Sequence, residues 1–596
     1  MRWAEADFET TTDVRDCRVW AWGVAFTDDV EDWHWGTDVL SFFEFVKRNE
    51  AVYHFHNLAF DGKFIIDALL KLGYHHTADQ PRRGEFIIDA LLKLGYHHTA
   101  DQPRRGEFAT LISSKGKFFQ VDVNFRDGLR TRFRDSLKLF PMPVRSVAKA
   151  FGLPEGKGDI DYTAQRPRGY VPTPDELDYL RRDVQIVARA LAENERRGLL
   201  GMTVGANAFA DFKRRCGRSY EAWFPVLDVD VDAEIRAAYR GGFTYCNPEY
   251  AGADVYGGIS VDYNSMYPSM LISNDYPIGR PVPFDGRYRP DRRHPLYVQR
   301  LTCDFALKPG KIPMVQLKNC ALYGDHEYVT EAVEPCQICL TNVDLQLFLD
   351  NYDVDVYSWD GGWMFRSAPG EVLFGEYVEY WGREKREAVR EHNPARKQIA
   401  KLMLNNLYGK FGTNPDVTPK VPTLRGRVVS YDLATVHETR DPIYIPVAAF
   451  CTAYARDTLL RAIDKNRNRF LYCDTDSMHL LGTADPVGIR LHDSDFCAWK
   501  VEGTFSHARH LRAKCYIWDL NGEVGVTCAG MPDNIKRACT FDNFRIGFSN
   551  VNPRTGRVCG GAWCALGPVC CGMAKLVPRT VAGGVVLADG LYALKA

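Results

Sequence analysis

The stretch RFLYCDTDSMHLL, residues 469–481, sets Asp474 and Asp476 two apart between two short apolar runs. Such runs flanking a polar pair predict a hairpin. Aspartate is common in turns because its side chain bonds nearby backbone, so Asp474-Thr475-Asp476 on its own reads as a turn rather than a site. A calcium loop does not account for them. Counted from Asp474, position six is His479 where glycine is needed, and position twelve is Asp485 rather than Glu. If the pair holds a cation, a further carboxylate must come from elsewhere, which forces distant strands together. GGISVDYNSMYPSM supplies one: an apolar strand ends at Asp262, and Tyr267 follows five residues later.

Between these segments lies KQIAKLMLNNLYGKFG, 397–412. Lys397 and Lys401 are four apart, and Lys401, Asn405 and Tyr408 follow at i, i+4 and i+7, so all share one helix face. The stretch 383–401 holds seven Lys and Arg in nineteen residues, Lys385 among them. An exposed basic face is ordinary in an amphipathic helix. The alternative is a nucleotide site, with lysines for phosphates and a ring for the base pair.

A second set of acids lies near the front. ADFETT puts Asp7 and Glu9 two apart in an extended stretch, on one face of a strand. YHFHNLAFDGKF supplies Asp61 together with His56, Asn57 and Phe60. Thr173-Pro174-Asp175-Glu176 reads as a capping box with Pro at the first helical position. In the helix that follows, Tyr179 and Asp183 are four apart on one face. Four acids and a tyrosine could build a two-metal hydrolytic site, although acids at strand ends and on helix faces are common.

At 596 residues the chain has room for roughly three to five domains. Its 45% hydrophobic and 25% charged residues are those of an ordinary soluble protein. The start, MRWAEADFETTTD, shows no basic-then-apolar leader, and no uncharged apolar run approaches a membrane span. The expectation is an intracellular protein with reduced thiols, since its 17 cysteines are scattered and odd in number. Cys336 and Cys339 form a CxxC, but Cys303 and Cys320 do not supply the second tight pair of a zinc signature. The Cys-rich tail CGGAWCALGPVCCGM has no functional reading. The net charge of −1 does not advertise nucleic-acid binding, but overall balance can hide local polarity.

D-x-E at Asp7 and Glu9, N-x-x-x-D at Asn57 and Asp61, and Y-x-x-x-D at Tyr179 and Asp183 occur in order. Together they resemble the three motifs of DnaQ-like, RNase H-related proofreading 3′–5′ exonucleases. DSLKLF (135–140) and KGDIDY (157–162) resemble two further exonuclease motifs of family B polymerases. By that resemblance Ser136 and Leu137 hold the single strand and Lys157 assists electrostatically. The segments at Asp262, Lys401 and Asp474 resemble motifs A, B and C of family B DNA polymerases. Among these the chain is similar to the protein-primed replicases of small tailed phages. YRGGF (239–243) resembles their linker, and KCY (514–516) their K-x-Y primer-binding motif. CAGM, TFDNFRIGF and AGGVVLAD extend the likeness toward the end of the chain.

The resemblance implies an α/β and α+β multidomain fold, an RNase H-like exonuclease domain followed by a right-hand palm, fingers and thumb. Its expected boundaries are 1–190 for the exonuclease and 191–596 for the polymerase. Within the latter, the palm is 191–273 and 447–540, the first insertion 274–376, the fingers 377–412, the second insertion 413–446 and the thumb 541–596. It implies two Mg2+ ions per site, with Mn2+ as an alternative. Asp262, the Tyr263 carbonyl and Asp476 would hold them at one site, and Asp7, Glu9, Asp61 and Asp183 at the other. Asp474 is expected nearby and less essential.

Lys401, with Lys385 and Lys397, would neutralise the triphosphate. Tyr267 would clash with a ribose 2′-hydroxyl, and Tyr408 would pack on the new base pair with Asn405 behind it. Lys514 and Tyr516 would hold the primer end. His56, Asn57 and Phe60 would line the exonuclease cleft. The implied partners are primer-template and single-stranded DNA, dNTPs and a terminal protein, the polymerase being a monomer or a heterodimer with that protein in the bacterial cytoplasm.

Two insertions between palm segments would enclose DNA and guide the priming protein, giving strand displacement. The chain departs from the pattern at Asn406, where serine is usual, and at Met266, where leucine is common. The stretch 553–577 is also longer than expected. A polymerase primed by ordinary oligonucleotides and an inactive DNA-binding remnant are the rival readings. An RNA-making enzyme is disfavoured by Tyr267.

One feature belongs to no motif. FIIDALLKLGYHHTADQPRRGE occurs twice in succession, at 64–85 and 86–107, with every residue identical. Two copies are too few for a solenoid. Each reads as a short apolar helix ended near Gly73 or Gly95, then a polar loop. The first copy adjoins Asp61 and is expected behind that site. The second is expected as a surplus unit that exposes Ile87, Ile88, Leu91 and Leu92 unless something covers them.

Overall fold

The computed structural model describes residues 2–11, 16–79, 102–153, 160–161, 164–317, 328–425, 428–435, 437–531 and 533–550, with short strands beyond. Lys157, Cys320, the segment 80–101 and most of 551–596 lie outside the described residues.

Eight strands from the front of the chain make one mixed sheet. They are β1 (Trp3–Thr10), β2 (Val19–Phe26), β3 (Trp33–Gly36), β4 (Val52–Phe55), β5 (His75–His76), β6 (Glu107–Ile112), β7 (Phe118–Asn124) and β8 (Arg130–Asp135). The order is β3-β2-β1-β4-β8-β7-β6-β5. β1 runs antiparallel to β2 and parallel to β4, which is parallel to β8. Strand β1 is central and covered on both faces, with Ala4, Ala6 and Phe8 in the apolar core. Across its other face packs the helix Pro174–Arg196. That helix starts as expected. The Thr173 hydroxyl accepts the Glu176 N–H, the Glu176 side chain accepts the Thr173 N–H, and Pro174 fills the first turn. Such a cap contributes about 1 kcal/mol.

Both copies of the repeat contribute described residues. Phe64–Asp79 come from the first and Gln102–Glu107 from the second. The helix Leu58–Lys71 ends before Gly73 (φ 77°), and β5 then pairs in parallel with β6, His75 opposite Glu107. Both sides of the junction are tied down. The His75 N–H donates to Gly106 O at 3.2 Å, and the Asn124 side-chain amide to Pro103 O at 2.9 Å. The sheet edge thus pairs a strand of the first copy with one that begins at the last residue of the second. Deleting 80–101 gives the same protein as deleting 86–107, because the copies are identical. We expect that variant to fold with stability unchanged within about 1 kcal/mol, or raised, since shortening a loop changes closure entropy only slowly. A thermal melt and both activity assays check this, and loss of folding or degradation would show an integrated second copy.

A seven-stranded sheet follows, built from β9 (Thr244–Cys246), β10 (Val255–Tyr263), β17 (Phe470–Asp474), β18 (Ser477–Leu481), β19 (Trp499–Arg512), β20 (Cys515–Leu520) and β21 (Glu523–Cys528). Its order is β21-β20-β19-β10-β18-β17-β9. Residues 275–369 add a separate four-stranded sheet of β11 (Asp275–Phe284), β12 (Leu296–Leu307), β13 (Glu331–Thr341) and β14 (Tyr352–Pro369). A ribbon of β15 (Lys420–Arg425) and β16 (Val428–Leu433) leans on the first sheet, where Tyr431 meets Phe118 edge-on. Helix Ile445–Lys465 is apolar nearly all round and lies buried behind the seven-stranded sheet, as such helices must.

Cys336 and Cys339 both fall on β13, opposite Cys303 and Arg300. Three apart on a strand, their side chains point to opposite faces, which removes them as a zinc pair. Among the described residues no helix is long and apolar enough to cross a membrane.

Candidate active sites

Strands β10 and β18 pair antiparallel, and the Tyr263 N–H donates to the Asp476 carbonyl at 2.7 Å. Asp262 and Asp476 therefore stand together at the ends of neighbouring strands. Burial, then the charges of Asp476 and Glu502, pushes Asp262 up to about 7. Burial, with Asp474 adding to it, pushes Asp476 up to about 6. Lys401 opposes both shifts, so its ammonium is in electrostatic reach of both carboxyls.

The turn between the aspartates is strained. Thr475 has φ 60°, a left-handed conformation that a β-branched residue rarely adopts, at a cost of about 1–3 kcal/mol. The Thr475 N–H donates to Phe243 O at 2.7 Å, and the Asp476 N–H to Asp474 O at 2.6 Å. Gly242 lies against this turn, where a Cβ would meet the Thr475 side chain at 2.8 Å and the Tyr267 hydroxyl at 3.1 Å. That close approach explains the second glycine of YRGGF.

Asp474 is otherwise committed. It accepts from Thr244 Oγ1 at 2.8 Å and from Lys514 Nζ at 2.7 and 2.8 Å. The Lys514 N–H donates to the Tyr472 hydroxyl at 3.0 Å, and the Tyr516 ring packs against Tyr472. On helix Pro394–Phe411, Lys397, Lys401 and Asn405 are exposed. The ammonium of Lys385 is pushed down by burial and then by Lys401 and Lys397, which places all three lysines in one neighbourhood. Tyr408 stacks on Tyr267, with centroids 3.7 Å apart and planes at 23°.

The second cluster lies on the first sheet. By strand alternation Glu5, Asp7 and Glu9 share one face of β1. Asp61 sits in the first turn of Leu58–Lys71, while Tyr179 and Asp183 are buried on the helix that packs on β1. Burial and then the Asp7 charge, with Glu9 adding, hold the Asp61 carboxyl well above the carboxylate range. Its Oδ1 is buried without a hydrogen-bond partner. Asn57 (φ 93°) turns the chain into that helix, its N–H donating to Asp135 Oδ1 at 3.2 Å. Phe60 is half-buried beside it. Ser136 is fully buried, its hydroxyl 3.0 Å from Glu5 Oε1 and 3.2 Å from His56 Nδ1. His56 Nε2 lies 2.6 Å from Met142 O, so the hydrogen belongs on that nitrogen. Leu137 is half-buried next to it.

Residues 165–490 match the family model of DNA polymerase type B, organellar and viral. The DNA polymerase of Bacillus phage Nf is 37% identical over 616 aligned residues, covering 99% of each chain. The chain belongs to the type B DNA polymerases. Phi29 DNA polymerase complexed with primer-template DNA and incoming nucleotide matches with a TM-score of 0.85 and 36% identity, over 96% of this chain and 100% of that one. The same phi29 enzyme with single-stranded DNA matches at 0.83 and 35% identity, over 100% of both. The mixed α/β fold of exonuclease plus polymerase expected from the motifs is therefore the fold of this chain.

Among the described residues of this type B polymerase, no group of three or more His, Cys, Asp or Glu side chains stands ready to hold a metal. The chemistry of the acids nevertheless fits a cation. Asp262 and Asp476 repel each other, and Asp61 is crowded by Asp7 and Glu9. Magnesium suits a site with few carboxylates, because it takes further oxygens from phosphate and water.

A pH dependence follows. Raised carboxyl pKa values mean that the folded, metal-free protein holds protons more tightly than the unfolded chain. The contribution of Asp262 and Asp476 to stability therefore falls as pH rises from about 4 to about 7. In EDTA, Asp476→Asn should flatten the fall in melting temperature between pH 5 and pH 8, and millimolar Mg2+ should lift the wild type at pH 8. Identical slopes for variant and wild type would refute the shared repulsion.

Four residues stand outside the sequence motifs. Glu5 precedes the D-x-E motif, although the same period of two reaches back to it. Glu502 neighbours Asp262 through β19, with no local signal. Arg456 and Asp344 form a buried ion pair at 2.7 Å, and the guanidinium donates to Arg240 O and Gly241 O, fixing the YRGGF backbone. Only tertiary contact reveals that role.

Proposed function

We propose that this type B polymerase extends a DNA 3′ end at the Asp262–Asp476 site and removes mismatched ends by 3′–5′ hydrolysis at the Asp7, Glu9, Asp61 and Asp183 site. The observation that carries the first half is the pair of carboxyls brought together by the end of β10 and the adjoining β17–β18 turn, with Lys401 in reach and the Tyr267–Tyr408 stack alongside. Family B chemistry depends on divalent cations. Asp262, the Tyr263 carbonyl and Asp476 would hold Mg2+ here, which lowers the pKa of the attacking 3′-hydroxyl and steadies the departing pyrophosphate.

Lys401, Lys397 and Lys385 attract and orient the triphosphate. Tyr408 presents its face to the new base pair, and Asn405 borders it one turn away. Tyr267, locked by its stack and by Gly242, blocks a 2′-hydroxyl. Lys514 and Tyr516 grip the primer end, with Lys514 anchored on Asp474. At the second site Tyr179 and the acids line a cleft in which His56, Asn57, Phe60 and Leu137 contact single-stranded DNA. Ser136 acts there through His56. Lys157 is assigned by motif alone.

The residues 1–190 form the exonuclease unit and 191–596 the polymerase in this reading. The separate sheet of 275–369 lies within the stretch 274–376 read as the first insertion, and the ribbon of 420–433 within 413–446 read as the second, which is the support for priming by a terminal protein and strand displacement. Primer extension with Mg2+, with and without a terminal protein and dATP alone, tests both parts. Extension of oligonucleotides with no deoxyadenylation of the protein would leave an ordinary primed polymerase.

Tyr267→Val should raise ribonucleotide incorporation by about a hundredfold or more, the scale of a steric clash of about 3 kcal/mol. Single-nucleotide insertion with dNTP against rNTP measures it. Unchanged discrimination removes Tyr267 from that role.

A further inference from the structure

Cys515, the middle residue of KCY, faces Cys528 across β20 and β21 in register, with the sulfurs 3.5 Å apart. Both are buried in a small core with Leu511, Ile517, Met531 and Phe544. The Ala529 N–H donates to Lys514 O at 2.9 Å, so residues 514 and 529 form a hydrogen-bonded pair. The next rung, Cys515 and Cys528, is then a non-hydrogen-bonded pair, in which the Cα atoms stand about 4.5 Å apart. A disulfide accepts Cα separations of about 4.4–6.8 Å. The bond can therefore form without a change of strand register. Among the described residues Cys303 and Cys336 also face each other with their side chains in contact, and Cys336 Sγ reaches the Cys303 carbonyl at 3.6 Å as well.

We propose that Cys515 and Cys528 are a reversible thiol–disulfide site, oxidised by a small peroxide, that covalently closes the hairpin carrying Lys514 and Tyr516. Cys528 is the point of entry. It lies on β21, the edge of the sheet, and keeps 5% exposure where Cys515 has 0%. Its thiolate attacks hydrogen peroxide, the O–O bond breaks, and the departing hydroxide takes up the proton the thiol released, which leaves a sulfenic acid and one water. The Cys515 sulfur then displaces the sulfenic hydroxyl, which leaves with a proton as a second water, and the S–S bond forms. Two thiols lose two electrons and the peroxide gains them. A dithiol reductant reverses the step. The cross-link sits one residue from Lys514, whose turn (φ 56°) anchors on Asp474. It closes the hairpin in the conformation already present, and so leaves that ion pair in place.

The test treats the full-length protein with stoichiometric hydrogen peroxide, counts thiols and maps peptides without reduction. We expect loss of two thiols relative to the untreated protein, a single 515–528 cross-linked peptide, and tenfold or slower hydrogen exchange in β20 and β21, all reversed by dithiothreitol. Cys515→Ser and Cys528→Ser should each lose the cross-link and the slowed exchange. A cross-link from Cys528 to Cys539, which shares this core, would overturn the proposal, as would full retention of thiols. Slowed exchange that persists in Cys515→Ser would overturn it too. The wild-type peptide map stands even if a variant fails to fold.

Discussion

Asp476→Ala should lower nucleotide addition by at least about a thousandfold while the chain stays folded. Loss of a group that offsets charge in the transition state costs about 3–4 kcal/mol, and here the loss also breaks up a proposed cation site. Folding should survive, because Asp476 is held in a repulsive environment: burial and Asp474 both disfavour its charge. Removing it relieves Asp262 as well. Asp474→Ala should differ in kind, releasing Lys514 and Thr244 and costing on the order of tenfold, since a charge-assisted bond is worth about 1.5–3 kcal/mol. Single-turnover extension with melting curves on both variants makes the comparison. Near-normal extension by Asp476→Ala would remove the assignment.

Asp7→Ala with Glu9→Ala should abolish 3′–5′ degradation, again by about a thousandfold or more, with extension within about twofold of wild type. The separation is structural. These acids lie on β1 of the eight-stranded sheet, whereas Asp262 lies on β10 and Asp476 in the β17–β18 turn of the seven-stranded one. Burial and Asp7 hold the Asp61 carboxyl high, so removing Asp7 should also let Asp61 ionise more readily. Gel assays on a single-stranded oligonucleotide and on a primed template separate the two activities. A parallel fall of both in a folded variant would mean that the two sites do not act independently.

Both acid clusters were legible because their spacing is local. D-x-E on a strand and Y-x-x-x-D on a capped helix fix which side chains share a face before any tertiary contact forms. The hairpin of Asp474 and Asp476 and the stripe of Lys397, Lys401, Asn405 and Tyr408 are of the same kind. What local spacing could not convey was partnership. Nothing near Asp474 in sequence shows that it anchors Lys514, and nothing near Arg456 shows that it fixes the linker backbone. Ser136 reads as a strand contact, yet its hydroxyl is enclosed between Glu5 and His56.

The repeat shows the same division. The sequence by itself determined that the first of two identical apolar segments adjoins Asp61 and the second is surplus, and which acids share a face in each cluster. Only the tertiary structure decided that His75 of the first copy pairs in parallel with Glu107 of the second at the sheet edge. It also decided which aspartate is committed to a lysine and which two are left to repel. Periodicity governs which face a side chain occupies, whereas strand order and register across hundreds of residues govern what that face meets.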